Sequence, residues 1–171
     1  MIGLKALDMH GKAWAVLLGT AGTVLAADQI SKAWVTAVLP LHEQIAPVPA
    51  LAAFFTLTHT RNTGAAFSLF PEGGLFLTLI GLVTVGLILF YMRQLAGYGW
   101  PLQAALALVL GGTLGNLLDR VRLGFVVDFL HVHGLPVFNV ADVAIAGGVA
   151  LLILLVWWAE RTTAAQSNSE G

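Results

Sequence analysis

The chain has no cysteine and few charged side chains. Charged residues make up 10% of its 171 positions, whereas an ordinary soluble domain has about a quarter. The absence of cysteine excludes disulfides, a thiol nucleophile and a thiolate metal site. The net charge of −1 at pH 7 gives no indication of a nucleic-acid partner. Apolar residues make up 58% of the chain and the mean hydropathy is +0.86, which predicts an integral membrane protein.

Four apolar stretches have close to the ~20 residues that a helix needs to cross a bilayer. We expect transmembrane helices over residues 13–35, 74–92, 101–118 and 137–159. Four spans put both termini on the same side of the membrane. Lysine and arginine divide evenly between the two sides, so the positive-inside rule does not orient the chain. Acidic residues, in contrast, gather on the side opposite the termini.

The first span has an alternative interpretation as a cleaved signal peptide. Lys5 and Lys12 would form its basic segment, residues 14–25 its apolar core and residues 24–26 its cleavage site. The helix-compatible sequence continues past Asp28, which favours a span that is retained.

Residues 40–73 connect the first two spans on the side opposite the termini. Three prolines argue against a helix at the start of this link. Residues 54–60 alternate between aromatic residues and threonines, a pattern typical of a short strand. We therefore expect a small β-rich cap within residues 40–73. The small polar residues 162–171 are predicted to form a disordered tail.

The third span ends in a polar motif, GGTLGNLLDR, at residues 111–120. Gly112, Asn116, Asp119 and Arg120 follow one another at positions i, i+4, i+7 and i+8, so they are predicted to share one helical face. A buried amide needs hydrogen-bond partners. Asn116 therefore indicates more than helix packing, which is the simplest role of the glycines.

Two shorter motifs carry polar residues at the same side of the membrane. Asp28 and Lys32 lie four residues apart and are predicted to form an ion pair that fixes the end of the first span. In the RNTGAAF motif, Asn62 precedes the small residues that start at Gly64. Such residues let another backbone come close, although a simple turn also explains the motif.

Asp128 and Asp142 lie in the otherwise apolar segment GFVVDFLHVHGLPVFNVADVAI. Gly134 and Pro136 predict a turn between them that would let the chain fold back. Two neighbouring carboxylates share one proton, because ionising both is costly. Such a pair supplies a general base and a general acid for peptide hydrolysis without a metal. Asn139 is placed to hold a substrate carbonyl or to orient a carboxylate.

The same segment has an alternative interpretation as a metal site. Asp128, His131 and His133 could supply three zinc ligands, with water as the fourth. The sequence has no HExxH motif, and histidines in a wet loop at the membrane surface are a simpler account.

A second alternative is a proton-coupled transporter that uses Asp28, Asp119 and Asp142 as a relay. A relay predicts polar groups spread over the depth of the membrane, and transporters commonly contain repeated halves. Here the polar groups gather at one interface, and no convincing repeat is present in the sequence.

Five motifs occur in order along the chain: DQISK (28–32), RNTGAAFS (61–68), GGTLGNLLDR (111–120), VVDF (126–129) and FNVAD (138–142). Over residues 12–160 they resemble the lipoprotein signal peptidases, or signal peptidases II, the bacterial aspartyl proteases of the inner membrane. The resemblance implies an all-α integral membrane fold with four transmembrane helices, a small periplasmic β-cradle and a short surface helix. It also implies that both termini are cytoplasmic and that the active site lies near the periplasmic face.

The resemblance further implies an activity and a set of site residues. The family cleaves the signal peptide of diacylglyceryl-modified prolipoproteins on the amino side of the lipidated cysteine, without a cofactor. Expected partners are these prolipoproteins, membrane lipids and the inhibitor globomycin. Asp128 and Asp142 match the catalytic aspartates. The substrate-binding positions implied are Asn62, Gly64, Gly112, Asn116, Arg120 and Asn139. The structural positions implied are Asp28, Lys32 and Asp119.

Overall fold

Four long helices form the body of the protein. The computed structural model describes residues 2–64, 73–95 and 98–169. Over these ranges the helices are α1 (Ile2–Val38), α2 (Gly73–Leu95), α3 (Trp100–Leu123) and α4 (Val140–Ser169). The parts long and apolar enough to cross a membrane are Gly11–Val38, Gly74–Met92, Trp100–Leu123 and Val140–Thr162. The predicted architecture of four membrane-spanning helices is confirmed.

A small antiparallel sheet lies at one end of the helices. Its strands, in spatial order, are β1 (Gln44–Ile45), β2 (Phe55–Asn62) and β3 (Val126–Val132). β2 confirms the strand predicted from residues 54–60. β3 extends the sheet beyond the predicted range of residues 40–73. Its first four residues are all buried, so the strand lacks the alternation of polar and apolar residues that identified β2.

The link between α1 and α2 contains little helix in the part that the structure describes. A single 3-10 turn, Pro49–Leu51, follows β1. Residues 65–72, which include most of the RNTGAAFS motif after Gly64, lie outside the described residues. The apolar side chains of Val48, Leu51 and Phe54 are exposed around this turn.

Hydrogen bonds attach the sheet to the helix ends. The ring Nδ1 of His59 on β2 lies 2.8 Å from the carbonyl oxygen of Leu39, just after α1. α3 ends at Gly124, whose φ of 82° is left-handed and whose N–H donates to the carbonyl of Arg120 at 3.0 Å. After β3 the chain turns at Gly134, and Phe138 pairs with the strand again. The next helix, α4, therefore begins beside β3.

Close approach of the helices depends on glycines of α3, which packs against the other three helices. A Cβ atom added to Gly111 would lie 2.6 Å from the carbonyl oxygen of Ala21 on α1. One added to Gly112 would collide with the carbonyl oxygen of Ala141 on α4. Small residues of this kind are what let membrane helices pack backbone to backbone.

α4 is longer than the sequence predicted. In place of the disordered tail expected over residues 162–171, the helix continues to Ser169. Alanine and glutamine in this stretch favour helix, and polar composition alone did not reveal that preference. At the end of the membrane-spanning part, the guanidinium of Arg161 stacks 4.0 Å from the ring centre of Trp157.

Replacing Gly112 by alanine is expected to destabilise the protein, because the added methyl group forces α3 and α4 apart. Overpacking of this kind costs about 1–3 kcal/mol, so thermal unfolding in detergent should begin at a lower temperature than in the wild type. Gly147→Ala is the matched control, since a Cβ atom there meets nothing within 4 Å. Equal unfolding temperatures for the two variants would contradict the packing described for Gly112.

Candidate active site

Asp128 on β3 is a buried carboxylate held by two asparagines. Its side chain is 2% exposed. Its Oδ1 accepts a hydrogen bond from Nδ2 of Asn139 at 2.7 Å, and its Oδ2 accepts one from Nδ2 of Asn62 at 2.9 Å. Burial raises the pKa of Asp128 to about 6, and the charge of Asp142 adds to this; the hydrogen bonds from the two asparagines and the charge of Lys32 oppose it.

Asp142 lies in the first turn of α4 and is only partly buried. Its Oδ1 accepts a hydrogen bond from Nδ2 of Asn116 at 2.8 Å. Its Oδ2 accepts one from the backbone N–H of Asn139 at 3.2 Å, and its own N–H donates to Oδ1 of Asn139 at 2.9 Å. This reciprocal pair is a capping box, which satisfies backbone donors at the start of a helix.

Asn139 therefore joins the two carboxylates. Its side-chain oxygen caps α4, while its Nδ2 reaches Asp128, Asn116 and the carbonyl oxygen of Val127. It is fully buried. One side chain thus fixes the start of the helix that carries Asp142 relative to the strand that carries Asp128.

The orientation of each asparagine amide follows from its partners. The three side-chain oxygens accept from groups that can only donate: the N–H of Gly64 for Asn62 (2.8 Å), the ammonium of Lys32 for Asn116 (3.1 Å) and the N–H of Asp142 for Asn139 (2.9 Å). Each amide N–H is then left to face a carboxylate. Both aspartates are consequently surrounded by amide donors.

A buried charged cluster lies behind this network. The ammonium of Lys32, which is 3% exposed, pairs with Oδ2 of Asp28 at 2.8 Å and with Oδ2 of Asp119 at 2.9 Å. The predicted ion pair between Asp28 and Lys32 is present. Gln29, which the sequence analysis did not identify, donates to both carboxylates at 3.1 and 3.0 Å. The sequence could have indicated Gln29 in the same way as Asn116, because both are amide side chains within an apolar span.

The carboxylates of the cluster also hold the backbone of the site. Oδ1 of Asp28 accepts from the N–H of Ala141 at 3.0 Å, and Oδ2 of Asp119 accepts from the N–H of Val127 at 3.1 Å. These bonds fix the residues next to Asp142 and Asp128. Gly115 makes room for the arrangement, because a Cβ atom there would lie 2.5 Å from Oδ2 of Asp28.

A cavity of about 380 Å³ lies between α2, α3 and α4. Asn116, Arg120 and Asp142 line it together with apolar side chains that include Ile80, Leu117 and Ile145. Nε of Arg120 is buried without a hydrogen-bond partner in the part of the chain that the structure describes. The cavity is therefore mostly apolar, with the carboxylate of Asp142 and the unpaired N–H of Arg120 at its wall.

Comparison with known proteins identifies the family. The model of the family described as "Signal peptidase (SPase) II" matches residues 20–158. The chain belongs to the signal peptidase II family. It is similar to the lipoprotein signal peptidase of Syntrophus aciditrophicus, with 42% identity over 148 residues, 81% of this chain and 90% of the relative. It is also similar to that of Teredinibacter turnerae, with 44% identity over 158 residues, 88% of this chain and 87% of the relative.

A solved structure has the same fold. A bacterial membrane enzyme determined by the in meso method at 1.9 Å resolution gives a TM-score of 0.75 at 28% identity. The match covers 85% of this chain and 92% of the other. Signal peptidase II membership and this fold agree with the four-span architecture described above.

Most of the residues predicted for a signal peptidase II site lie close together around Asp128 and Asp142, but two of the predicted details differ. Asn116, Asn139 and Asn62 meet at the two aspartates, but their amides are engaged with carboxylates. Asp119 and Arg120 do not share a face: the first reaches Lys32 and the second lines the cavity. Adjacent positions on a helix are about 100° apart, which explains the separation.

Two predicted substrate-binding glycines have structural partners here. Gly64 has a φ of 83° and donates its N–H to Asn62, so it forms the turn that orients that amide. Gly112 packs against α4. That Gly64 and Gly112 also contact the substrate stays a prediction.

The two alternative interpretations do not fit the arrangement. His131 lies on the opposite face of β3 from Asp128, because side chains alternate along a strand. His133 follows the end of β3 and contacts His131, with ring centres 5.0 Å apart. The aspartates proposed as a transporter relay do not form a path across the membrane. Asp28 and Asp119 share Lys32 at the same end as Asp142.

Replacing Asn139 by alanine is expected to lower the free energy of unfolding by about 2–4 kcal/mol, because it removes a helix cap and a donor to a buried carboxylate. Thermal or denaturant unfolding in detergent measures this loss. Asn62→Ala is the comparison, since it also removes a donor to Asp128 but caps no helix. Equal losses for the two variants would show that the cap on α4 contributes nothing.

Proposed function

We propose that Asp128 and Asp142 are the catalytic carboxylates with which this chain cleaves the signal peptides of prolipoproteins. The activity follows from the family and from relatives 42–44% identical that are lipoprotein signal peptidases. One observation supports the choice of residues: the two carboxylates converge on Asn139 and one of them lines a cavity. Four membrane-spanning segments fit a substrate that is itself held in the bilayer.

The two carboxylates have different environments, which suggests different roles. Asp128 is buried and has a pKa raised to about 6, so it is the better holder of the shared proton. Asp142 is partly exposed and lines the cavity, so water can reach it more readily than it can reach Asp128. We assign the general acid to Asp128 and the general base to Asp142.

Hydrolysis then proceeds in two steps. Asp142 takes a proton from a water molecule, whose oxygen bonds to the scissile carbonyl carbon, while Asp128 gives its proton to the carbonyl oxygen. The neutral tetrahedral diol breaks down when the carbon–nitrogen bond breaks. The amide nitrogen takes the proton held by Asp142, and the diol returns a proton to Asp128. Both carboxyl groups end in their starting states.

Arg120 is suited to bind the substrate backbone near the cleavage point. It carries a buried N–H without a partner among the described residues and lines the same cavity as Asp142. A peptide carbonyl oxygen would satisfy this donor. The apolar walls of the cavity suit the apolar part of a signal peptide or of the attached lipid.

The proposal also includes the exact cleavage position in the substrate and the orientation of the chain in the membrane. We assign cleavage to the amino side of a diacylglyceryl-modified cysteine, whose two acyl chains stay in the membrane at roughly 0.8 kcal/mol per buried CH₂. Both termini are assigned to the cytoplasm and the sheet to the periplasmic side of the inner membrane. The sheet and the start of α4 lie at the end opposite the termini, and the family resemblance assigns that end to the periplasm. Globomycin is expected to inhibit by occupying the same site.

Asp128→Asn and Asp142→Asn are each expected to reduce cleavage about 10⁴-fold, because either removes one partner of the acid–base pair. A gel-shift assay in detergent with a diacylglyceryl-modified prolipoprotein measures the loss, with and without EDTA. Glu43→Gln, an exposed change near the sheet, is the matched control. A folded variant of either aspartate that still cleaves at the wild-type rate would contradict the assignment, and so would loss of wild-type activity in EDTA.

The pH dependence of kcat/KM should reveal the proton on Asp128. Because its raised pKa keeps the acid protonated up to about pH 6, kcat/KM should fall about tenfold per unit at higher pH. Asn62→Ala removes a donor to the charged form, so it should move this decline to higher pH. A value of kcat/KM that rises through pH 6 to a plateau would assign the base to Asp128 instead.

A further inference from the structure

Lys32 makes one contact that is not needed to neutralise its own positive charge. An ammonium group has three N–H donors. Two of them pair with Asp28 and Asp119, and the third donates to Oδ1 of Asn116 at 3.1 Å. Since the two carboxylates already balance the positive charge, the bond to the amide adds something other than charge compensation.

The amide of Asn116 needs a reason to keep its orientation. As it stands, Nδ2 donates to Oδ1 of Asp142 at 2.8 Å. Rotation by 180° about the last side-chain bond would instead turn the amide oxygen towards the carboxylate, which is repulsive, and Nδ2 towards Lys32. With the ammonium of Lys32 in place, the rotated state has two unfavourable contacts. Nδ2 of Asn116 faces the N–H groups of Lys32, and the amide oxygen faces the carboxylate of Asp142.

The remaining contact of Asn116 is too weak a constraint to replace Lys32. Nδ2 of Asn139 also reaches Oδ1 of Asn116 at 3.1 Å, but it has two other acceptors, Asp128 at 2.7 Å and the carbonyl oxygen of Val127 at 3.3 Å. If Asn116 rotated, Asn139 would lose this hydrogen bond but could keep those to Asp128 and Val127. Lys32 lacks this freedom, because its other two N–H groups are held by carboxylates.

We propose that Lys32 is a positioning residue for peptide hydrolysis, which holds Asn116 with its N–H towards Asp142 and so fixes the carboxylate that activates water. This inference rests on the proposed roles of Asp128 and Asp142. It assigns Lys32 a role beyond the structural ion pair expected from sequence. Lys32 makes no contact with either aspartate of the pair. Its charge acts on Asp128 at a distance, whereas its hydrogen bond acts on Asp142 through Asn116.

The absence of cysteine permits a test with three side chains of equal length at position 32. In a Lys32→Cys protein the thiol is unique, so it can be alkylated selectively. Bromoethylamine installs an ammonium, iodoacetamide a neutral amide donor and propyl iodide an apolar group. Lys32 lines a second cavity of about 270 Å³, through which such small reagents can approach. Intact mass verifies complete modification.

The charge of the cluster is controlled with Asp119→Asn. In this background both neutral side chains leave the cluster with the one negative charge of Asp28, which is also the net charge of Lys32 with Asp28 and Asp119 in the wild type. Asp119→Asn with Lys32 intact has a cluster of zero net charge and is the reference for the ammonium side chain. The wild type, whose cluster has a net charge of −1, is the reference for the two neutral side chains. Thermal unfolding in detergent checks that each modified protein is folded, and kcat and KM are measured with a diacylglyceryl-modified prolipoprotein.

We call the alkylated proteins the ammonium, amide and propyl proteins after the group attached at position 32. The ammonium protein should have the kcat of its reference, and the amide protein should have a kcat within about threefold of its own reference. The propyl protein should lose about 30-fold in kcat with KM within about twofold, as when the residue that orients a reacting group is removed. Equal kcat for the amide and propyl proteins would overturn the proposal. If the propyl protein does not fold, the amide protein decides alone: retained kcat supports positioning by a donor, and lost kcat overturns it.

Asp142→Asn in the same assay separates this proposal from the assignment of the catalytic pair. An inert Asp142→Asn protein together with equal amide and propyl proteins rejects only the role of Lys32. An Asp142→Asn protein that cleaves like the wild type rejects the catalytic pair, and with it the reason for positioning Asp142.

Discussion

Buried carboxylates in a membrane protein need hydrogen-bond donors, and this requirement organises the end of the bundle that carries the site. Asp28, Asp119 and Asp128 are each at most 4% exposed, and Asp142 is partly buried. Water and lipid tails cannot serve them there, so the protein supplies lysine, amide and backbone N–H groups. The elements that carry these donors are thereby held together: α1, α3, α4 and β3 all contribute.

The type of donor divides the aspartates into two pairs. Asp28 and Asp119 share the ammonium of Lys32, and these direct ion pairs make them fixed anchors for the backbone. Among the described residues, the side-chain donors to the Asp128 carboxylate are the amides of Asn62 and Asn139, which compensate a negative charge less completely than a cation does. Burial therefore raises the pKa of Asp128 to about 6, although the amide hydrogen bonds oppose the rise. A group that can hold or release a proton near neutral pH is suited to acid–base catalysis, whereas a tightly paired carboxylate is not.

The sequence predicted the helices and several of the polar residues that the structure brings together beside Asp128 and Asp142, but not the hydrogen bonds that connect them. Apolar length was sufficient for the four spans, and the ordered motifs identified the aspartates and asparagines. β3 was missed because it pairs with β2 across more than sixty residues of chain, a partner that local alternation does not reveal. The separation of Asp119 from Arg120 was missed because the predicted face was drawn too wide. Adjacent positions on a helix are about 100° apart, so Asp119 reaches Lys32 on α1 while Arg120 lines the cavity.

Close packing of the helices and the arrangement of the proposed catalytic carboxylates are linked through α3. Gly111 and Gly112 bring the backbones of α1 and α4 against it, and Gly115 leaves the volume into which Asp28 fits. Only at this separation can Lys32 from α1 reach Asn116 on α3, and Asn116 reach Asp142 on α4. A larger residue at any of these glycines would lengthen hydrogen bonds whose energy depends steeply on geometry. The glycines can therefore be required for catalysis without any of them touching the substrate.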